Sequence, residues 1–290
     1  MKDCTAVTSE TGAELPSSKL FRNIRGIIFD FDGTLFDNIR LPFYLIAANP
    51  LDIFRLWRER LIRKSFAGSD YSSPEEYYRA FFTTMGKSGL SSPEHLRQWY
   101  FGRYMPRMTR VLKKHYRLRP GVIELYRRLD SSHAASQGNL NSRASPALPH
   151  DFPKLAVYSD YPFLQERLEA LGLNCSSKVL LYGPECFGAQ KPAVRPFLKI
   201  AEDFGVAPEE VLVIGDREET DGIGAFRAGM RFFCLETGRR RYFRLDPNRR
   251  PPDKEKPRGP SLLMHAGTWD ELINLFREKY GFKADSEGAR

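Results

Sequence analysis

The segment Gly26–Asp37, with the sequence Gly-Ile-Ile-Phe-Asp-Phe-Asp-Gly-Thr-Leu-Phe-Asp, constrains the fold more than any other part of the chain. Its apolar run, Ile27 to Phe29, is typical of a strand that is covered on both faces of a parallel sheet. Asp30 and Asp32 are two positions apart, so their side chains leave one side of an extended chain. We predict a buried strand whose carboxyl end binds a cation and carries phosphate chemistry. A polar exit from a strand into a loop is the structural alternative.

Apolar runs and helical patterns alternate through the rest of the chain. Further strands are predicted over Leu155–Tyr158, Val179–Leu181, Val211–Ile214 and Arg231–Leu235. Helices are predicted over Pro162–Leu171, Pro196–Phe204, Gly222–Ala228 and Trp269–Tyr280. This alternation indicates an α/β fold with a doubly wound parallel sheet and helices on both faces.

Polar residues follow several of these strands at the point where each strand ends. Ser159 and Asp160 follow the second strand, and Asp216 follows the fourth. In open parallel sheets, ligands bind beyond the carboxyl ends of the strands. We therefore expect these residues to meet Asp30 and Asp32 at one edge of the sheet.

The pattern between the first two strands is helical. Ser73-Pro74 and Ser92-Pro93 are typical helix starts, with a hydroxyl cap followed by proline. We predict a smaller all-helical domain over 39–117, inserted into a discontinuous core of 21–38 and 118–290. Residues 1–20 are expected to form a disordered leader, and 131–150 and 238–260 are expected to be mobile insertions.

Four short signatures together resemble those of the haloacid dehalogenase superfamily of phosphotransferases. They are Asp30-Phe31-Asp32-Gly33-Thr34, the hydroxyl of Ser159, Lys191 within Gln190-Lys191-Pro192, and Gly215-Asp216 with Asp221 downstream. The resemblance covers 24–37 and 118–235 and is weak in the helical insert. It implies a Rossmann-like core, and it implies that the insert is a cap that closes over the site.

The resemblance also implies roles for individual residues. Asp30 would be the nucleophile that forms an aspartyl-phosphate, and Asp32 would be the general acid and base. Lys191 would offset the negative charge of the site. The phosphate would be bound by Ser159 and by groups of Asp160, Phe31, Gly33 and Thr34. The Mg²⁺ ligands would be Asp30, the backbone carbonyl of Asp32 and Asp216. Asp221 would be the second acid of the metal loop, acting on the metal through water or by orienting Lys191.

Each of these residues also has a structural interpretation. Lys191 could be a solvated loop lysine. Ser159 could cap the helix that follows it, and Asp221 could cap the helix near Gly222. At most one or two of the cap arginines are expected to hold an anionic group of the substrate. The candidates are Arg40, Arg55, Arg58, Arg60, Arg63, Arg79, Arg97, Arg103, Arg107 and Arg110.

These features favour a Mg²⁺-dependent phosphatase of a small phosphorylated metabolite. A phosphomutase of the same superfamily would use the same residues. A third alternative is a non-catalytic protein that binds nucleic acid or another polyanion through the basic segment 238–258. Dehalogenation is disfavoured, because it needs no metal and would leave Asp32 without a purpose.

Composition sets broader limits on the class of protein. The 290 residues carry a formal net charge of +9, which is compatible with an acidic partner but does not identify one. The four cysteines include no C-x-x-C pair, so no zinc knuckle or disulfide framework is expected. Residues 1–18 lack an apolar signal region, and the apolar stretch Leu41–Ile53 is too short to span a bilayer. We expect a cytoplasmic protein without a membrane partner, and the oligomeric state stays open.

Overall fold

A computed structural model describes residues 20–87, 89, 91–127, 152–174, 178–237 and 264–280. The described residues contain a six-stranded, all-parallel sheet in the order β3-β2-β1-β4-β5-β6. Its strands are β1 (Gly26–Asp30), β2 (Lys154–Tyr158), β3 (Val179–Tyr182), β4 (Val211–Gly215), β5 (Arg231–Leu235) and β6 (Met264–Gly267).

The strand β1 lies in the middle of the sheet and is buried throughout. Asp30 pairs in register with Tyr158 of β2, and Phe29 pairs with Ile214 of β4. Since the three strands are parallel, their carboxyl ends meet at the same edge of the sheet. This register places the residues after β2 and β4 beside Asp30.

Alternate residues of the strands face two separate apolar layers. Phe29 and Leu212 belong to one buried cluster, whereas Ile28 and Val213 belong to the other. The core helices cover both faces and span 122–127, Leu164–Ala170, Pro184–Phe187, Val194–Phe204, Ile223–Ala228 and Trp269–Tyr280. The predicted α/β class, a doubly wound parallel sheet, is confirmed.

Helices make up most of the chain between β1 and β2 among the described residues. They span Leu41–Ala48, Ile53–Ser65, Pro74–Gly86, Pro93–Trp99 and Met105–His115. Ser73 and Ser92 cap two of them, because their Oγ atoms accept hydrogen bonds from the backbone N–H of Glu76 and His95 at 3.2 and 3.3 Å. We call this region the cap, and the exact division of the chain into domains stays a prediction.

Two elements were missing from the sequence interpretation. β6 has the sequence Met-His-Ala-Gly and extends the sheet beyond β5, although it lacks the apolar run of the other strands. The short helix Pro184–Phe187 was also not predicted. Of the predicted leader 1–20, residues 1–19 lie outside the described residues, whereas Leu20 is described and packs in the core at 3% exposure, so the predicted leader is one residue too long. The insertion 131–150 and the segment 238–260 also lie outside the described residues.

None of the helices in the described ranges combines the length and the apolarity that crossing a membrane requires.

Candidate active site

The ammonium of Lys191 joins residues from three different parts of the chain. Its Nζ lies 2.5 Å from Oδ1 of Asp30, at the end of β1, and 2.7 Å from Oδ1 of Asp221, in the turn after β4. Lys191 is only 2% exposed, so the interpretation as a solvated loop lysine is wrong. A buried ammonium requires such acidic partners, because an unpaired charge is costly to remove from water.

Asp216 completes a cluster of three buried carboxylates. Carboxylate oxygens of Asp30, Asp216 and Asp221 all lie within 4.8 Å of one another. Oδ2 of Asp221 has no hydrogen-bond partner among the described residues. With Lys191 as the paired cation, three carboxylates and one ammonium leave two negative charges. The cluster therefore has both the oxygen ligands and the charge that suit one hard divalent cation.

Two glycines let the carboxylates approach the backbone closely. Gly33 has φ +99°, and a Cβ there would lie 2.6 Å from Oδ2 of Asp216. A Cβ at Gly215 would lie 2.6 Å from the side chain of Asp221. Such contacts are too short for any larger residue, so both glycines are needed for this arrangement.

Burial controls the protonation of the cluster. Burial raises the pKa of Asp30 from its ordinary value to about 7, with Lys191 opposing the shift and Asp221 and Asp32 adding to it. Burial also raises the pKa of Asp221. Burial alone would lower the pKa of Lys191, but the charges of Asp221 and Asp30 outweigh it and hold that pKa above its ordinary value. A lysine that stays charged beside carboxyl groups of raised pKa suits a site that binds both an anion and a cation.

Asp32 lies in a second network that includes an arginine. The hydroxyl of Ser159 donates to Oδ2 of Asp32 at 3.1 Å and accepts a hydrogen bond from Nη1 of Arg167 at 3.0 Å. Nη2 of Arg167 forms a short ion pair with Oδ1 of Asp32. The Arg167 guanidinium is fully buried and stacks on the ring of Phe31, 4.4 Å from its centroid. Both oxygens of Asp32 are therefore held in place.

Sequence reasoning missed Arg167. The residue lies on the helix Leu164–Ala170, on the same side as the buried Leu164, Leu168 and Leu171. An arginine within such an apolar stripe is a signal that could have been noticed, because a buried guanidinium needs an acidic partner.

The remaining candidates surround the first network. Oγ1 of Thr34 donates to Oδ2 of Asp30 at 3.1 Å. Oδ1 of Asp160 accepts a hydrogen bond from the backbone N–H of Lys191 at 3.0 Å. The carbonyls of Gly33 and Thr34 accept hydrogen bonds from Arg119 at 3.1 and 2.9 Å, so Arg119 fixes the loop after β1. Together these contacts fix the backbone around Asp30.

The two capping alternatives fail. The helix after β2 begins at Leu164, with Phe163 as its N-cap and no side-chain capping bond, and Ser159 lies outside it. Asp221 lies inside the π-helical turn Glu218–Gly222, and its Oδ1 binds Lys191. Neither side chain is explained as a helix cap.

One cap arginine reaches this edge of the sheet. Arg63 forms a buried ion pair with Glu59 at 2.5 Å, and its Nη1 donates to the backbone carbonyl of Asp160 at 2.6 Å. Its guanidinium stacks 4.0 Å from the ring centroid of Tyr161. Gln190 bridges the same region, because its Nε2 donates to the carbonyl of Arg63 at 2.9 Å. The cap thus contacts the segments that carry Ser159 and Lys191.

Comparisons with known proteins agree with this geometry. A family model described as haloacid dehalogenase-like hydrolase matches residues 24–229. A phosphoglycolate phosphatase of Aquifex aeolicus is 27% identical over 209 residues, which cover 67% of this chain and 77% of that protein. A glyceraldehyde 3-phosphate phosphatase of Methanopyrus kandleri is 34% identical over 100 residues, or 34% of this chain and 42% of that protein.

A solved structure shares the fold. The 2-haloacid dehalogenase of Pseudomonas syringae pv. tomato has a TM-score of 0.52 at 17% identity, with 88% of this chain and 99% of that chain covered. At this identity the likeness concerns the fold alone. The family model, by contrast, includes the ends of β1, β2 and β4 and the loop of Lys191. The chain therefore belongs to the haloacid dehalogenase-like hydrolases.

Proposed function

We propose that the protein is a Mg²⁺-dependent phosphatase that hydrolyses a small phosphorylated metabolite through an aspartyl-phosphate on Asp30. The observation that carries the proposal is the buried cluster of Asp30, Asp216 and Asp221 around Lys191. A phosphate ester is anionic, so an enzyme must neutralise its charge while it positions an attacking group. A carboxylate nucleophile beside a lysine and a cation site meets both needs.

The coarser assignment is that this chain is a phosphoric monoester hydrolase of its family, and its relatives support it. The names phosphoglycolate phosphatase and glyceraldehyde 3-phosphate phosphatase belong to proteins that act on small phosphorylated compounds. These names support a small phosphate ester as the substrate class, and they do not identify the compound.

The donor set fits Mg²⁺. The proposed ligands are the carboxylates of Asp30, Asp216 and Asp221 and the backbone carbonyl of Asp32, all of them oxygen atoms, which hard cations prefer. Oδ2 of Asp221, which accepts no hydrogen bond from the described residues, would be free to face the cation. When bound, Mg²⁺ supplies positive charge that stabilises the transferring phosphoryl group.

In the first step, a carboxylate oxygen of Asp30 attacks phosphorus and displaces the alkoxide of the ester. A proton from Asp32 goes to that alkoxide, so the leaving group departs as an alcohol. Lys191, at 2.5 Å from Asp30, stabilises the negative charge that gathers around the nucleophile. Backbone N–H groups near Phe31 and Asp160 would donate to the phosphate oxygens. The hydroxyl of Ser159 would turn its one proton from Asp32 to a phosphate oxygen when the substrate binds.

In the second step, Asp32 removes a proton from water, and the resulting hydroxide attacks the phosphorus of the aspartyl-phosphate. The bond between phosphorus and Asp30 breaks, which releases inorganic phosphate and restores the carboxylate. The ion pair with Arg167 orients Asp32 for both proton transfers. The cap limits the access of bulk water during the reaction.

The test is hydrolysis of an aryl phosphate by the Asp30→Asn variant, with Asp203→Asn as a control at an exposed position of the helix Val194–Phe204. We expect Asp30→Asn to abolish turnover, and we expect an acid-quenched wild-type sample to carry phosphate on the Asp30 peptide. Full activity of Asp30→Asn would overturn the assignment. Formation of an isomeric sugar phosphate, without free phosphate, would point to a mutase instead.

A further inference from the structure

Large exposed apolar side chains are concentrated in one part of the cap. Among the described residues, eight of the ten exposed large hydrophobic side chains fall within 39–61. The most exposed are Leu51 (88%), Phe54 (75%), Phe43 (71%) and Trp57 (60%). We call residues 39–64 the exposed cap segment. A concentration of this kind on a folded protein marks an interaction surface, whereas scattered exposed hydrophobics do not.

The second helix of the exposed cap segment is amphipathic, with its apolar stripe turned outward. Ile53, Phe54, Trp57 and Leu61 lie on one side of the helix Ile53–Ser65 and are exposed. The opposite side carries Glu59 and Ile62, which are buried. Cap packing therefore uses the other side and leaves the stripe uncovered.

The first helix of the segment has no polar outer face. Leu41–Ala48 has the sequence Leu-Pro-Phe-Tyr-Leu-Ile-Ala-Ala and contains no charged residue. Leu41 and Leu45 are buried against the cap, whereas Phe43 and Ile46 are exposed. Water therefore contacts apolar side chains on the outer side of both helices.

In the exposed cap segment the acidic side chains are buried, whereas the exposed charged side chains are basic. Both of its carboxylates are buried and paired, with Asp52 bound to Arg55 and Arg103 and Glu59 bound to Arg63. The exposed charged residues of the segment are all basic and are Arg40, Arg60 and Lys64. Arg60 and Lys64 follow Trp57 at helical spacing, so they border the apolar stripe.

We propose that the exposed cap segment binds peripherally to the surface of an anionic phospholipid bilayer. Helices that lie in the lipid interface combine Phe, Trp and Leu on one side with Arg and Lys on the other. Their apolar side chains enter the boundary of the acyl chains, and their basic side chains contact the headgroups. A second copy of the chain fits less well, because a two-fold contact would bring the same basic residues together without an exposed carboxylate of the segment to pair with them.

The proposal is independent of the phosphatase assignment. It replaces the expectation of no membrane partner, which considered only whether Leu41–Ile53 could span a bilayer. An interfacial helix needs no spanning length, because it lies in the plane of the surface.

Trp57 provides a built-in reporter. The chain has three tryptophans, and Trp99 and Trp269 are each 6% exposed, against 60% for Trp57. In the full-length protein we expect emission to shift to the blue, and acrylamide quenching to fall, when vesicles of phosphatidylcholine with about 30% phosphatidylserine are added. The shift should be lost with pure phosphatidylcholine and weakened at about 0.5 M salt, which screens charge.

Sedimentation with the same vesicles tests the surface itself. The double variant Phe43→Ser/Phe54→Ser keeps Trp57 and changes only exposed positions. We expect it to bind at least about tenfold more weakly, since it loses two large apolar side chains from the contact. Leu198→Ser is the matched control, because Leu198 is 37% exposed on the core helix Val194–Phe204. The control should bind like the wild type.

Four results would overturn the proposal. The first is no binding of the wild-type protein to anionic vesicles at low salt. The second is equal binding by the double variant. The third is a concentration-dependent dimer that the double variant abolishes, with no vesicle binding, which would assign the segment to contact with a second copy. A Trp57 already shielded from acrylamide without vesicles would equally mean that the surface is covered.

Discussion

The guanidinium of Arg167 lies wholly inside the protein and holds the acid–base candidate Asp32 and the phosphate candidate Ser159 together. Its stacking on Phe31 links it to the backbone between Asp30 and Asp32. Such a residue acts through its neighbours, by orienting them, and does not need to touch the substrate. Its contribution should therefore depend on how much the reaction needs Asp32.

We predict that Arg167→Met impairs hydrolysis of alkyl phosphates more than hydrolysis of 4-nitrophenyl phosphate. A good leaving group needs little protonation, whereas an alkoxide needs the proton of Asp32, and general acid catalysis contributes about 10²–10⁴-fold. Steady-state kcat/KM for both substrates gives the ratio. Arg97→Met, at an exposed cap arginine that stacks on Phe101, is the control.

An equal loss for both substrates would mean that Arg167 supports the fold and not the proton transfer. Arg167→Lys should restore part of the alkyl phosphate activity if the positive charge beside Asp32 is the important feature. Thermal unfolding of each variant separates a loss of folded protein from a loss of catalysis.

Alanine substitutions at Gly33 and Gly172 separate the effect of backbone strain from an effect on the geometry of the site. Gly33→Ala and Gly172→Ala both place alanine at positive φ, +99° and +89°. Only the first alanine would meet Asp216, because no atom of the described residues lies within 4 Å of a Cβ at Gly172. We expect both to lose about 1 kcal/mol of stability. Only Gly33→Ala should weaken Mg²⁺ activation, measured by titration of activity with the metal. If Gly33→Ala and Gly172→Ala showed the same Mg²⁺ dependence, Asp216 would lie outside the metal site.

Residue types and their order in the sequence were enough to single out the parts of the site that motifs encode. Asp30 and Asp216 could be selected because each follows a recognisable strand, and Lys191 because Gln190-Lys191-Pro192 resembles a signature of the family. Arg167 could not be identified as a site residue from the helix pattern, because that pattern does not distinguish a buried arginine from one that reaches the solvent. Only the fold reveals that its partner, Asp32, lies across the sheet edge.

At the scale of elements, the cap helix Pro74–Gly86 supports the loop that carries Lys191. The hydroxyl of the buried Tyr77 donates to Oε1 of Gln190 at 3.1 Å, and Gln190 in turn binds the carbonyl of Arg63. The residue before Lys191 is thus tied to two cap helices. Loosening this tie should affect both stability and catalysis.

We predict that Tyr77→Phe lowers stability by about 1–2 kcal/mol, because it leaves the buried Gln190 oxygen without a donor. Turnover should fall a few-fold as the loop of Lys191 loosens. The control is the neighbouring Tyr78→Phe, since the buried hydroxyl of Tyr78 has no hydrogen-bond partner among the described residues. Chemical denaturation and kcat measurements on both variants test this, and equal effects would contradict the predicted role of Tyr77.

One of the five predicted strands, β3, lies at an edge of the sheet and was predicted from the apolar run Val179–Leu181. The other four are buried on both faces, which leaves a continuous apolar run. β1, β2, β4 and β5 belong to this group, and their predicted and observed bounds agree closely. Among the described strands, β6 lies at the edge of the sheet and pairs with β5 alone. An edge strand needs fewer apolar residues, so Met-His-Ala-Gly carried no recognisable periodicity. Its identity as a strand depends on its partner.

At the scale of the whole molecule, the carboxylate cluster couples stability to pH. The pKa of Asp30 is raised to about 7 in the folded protein, so between about pH 4 and pH 7 the folded state binds more protons than the unfolded state. Stability from this group is fully present at low pH and is lost as pH rises through about 7. The size is on the order of a few kcal/mol.

We predict that the metal-free protein gains more in Tm from Mg²⁺ at pH 8 than at pH 5.5, because protons compete with the cation for the same oxygens. Calorimetry in chelator and in Mg²⁺ at both pH values provides the measurement. Asp30→Asn should reduce both the pH dependence and the Mg²⁺ effect. If Asp30→Asn kept the wild-type pH dependence of Tm, groups other than Asp30 would dominate that dependence.

β1 emerges from the ribosome before the other strands, yet it occupies the centre of the finished sheet. Its two partners, β2 and β4, begin only at Lys154 and Val211. Both edges of β1 therefore lack their partner strands while the cap is being translated. Long-range parallel pairing of this kind is slow, and exposed strand edges invite association with other chains. Early synthesis is therefore the stage at which a nascent chain of this protein most needs a chaperone.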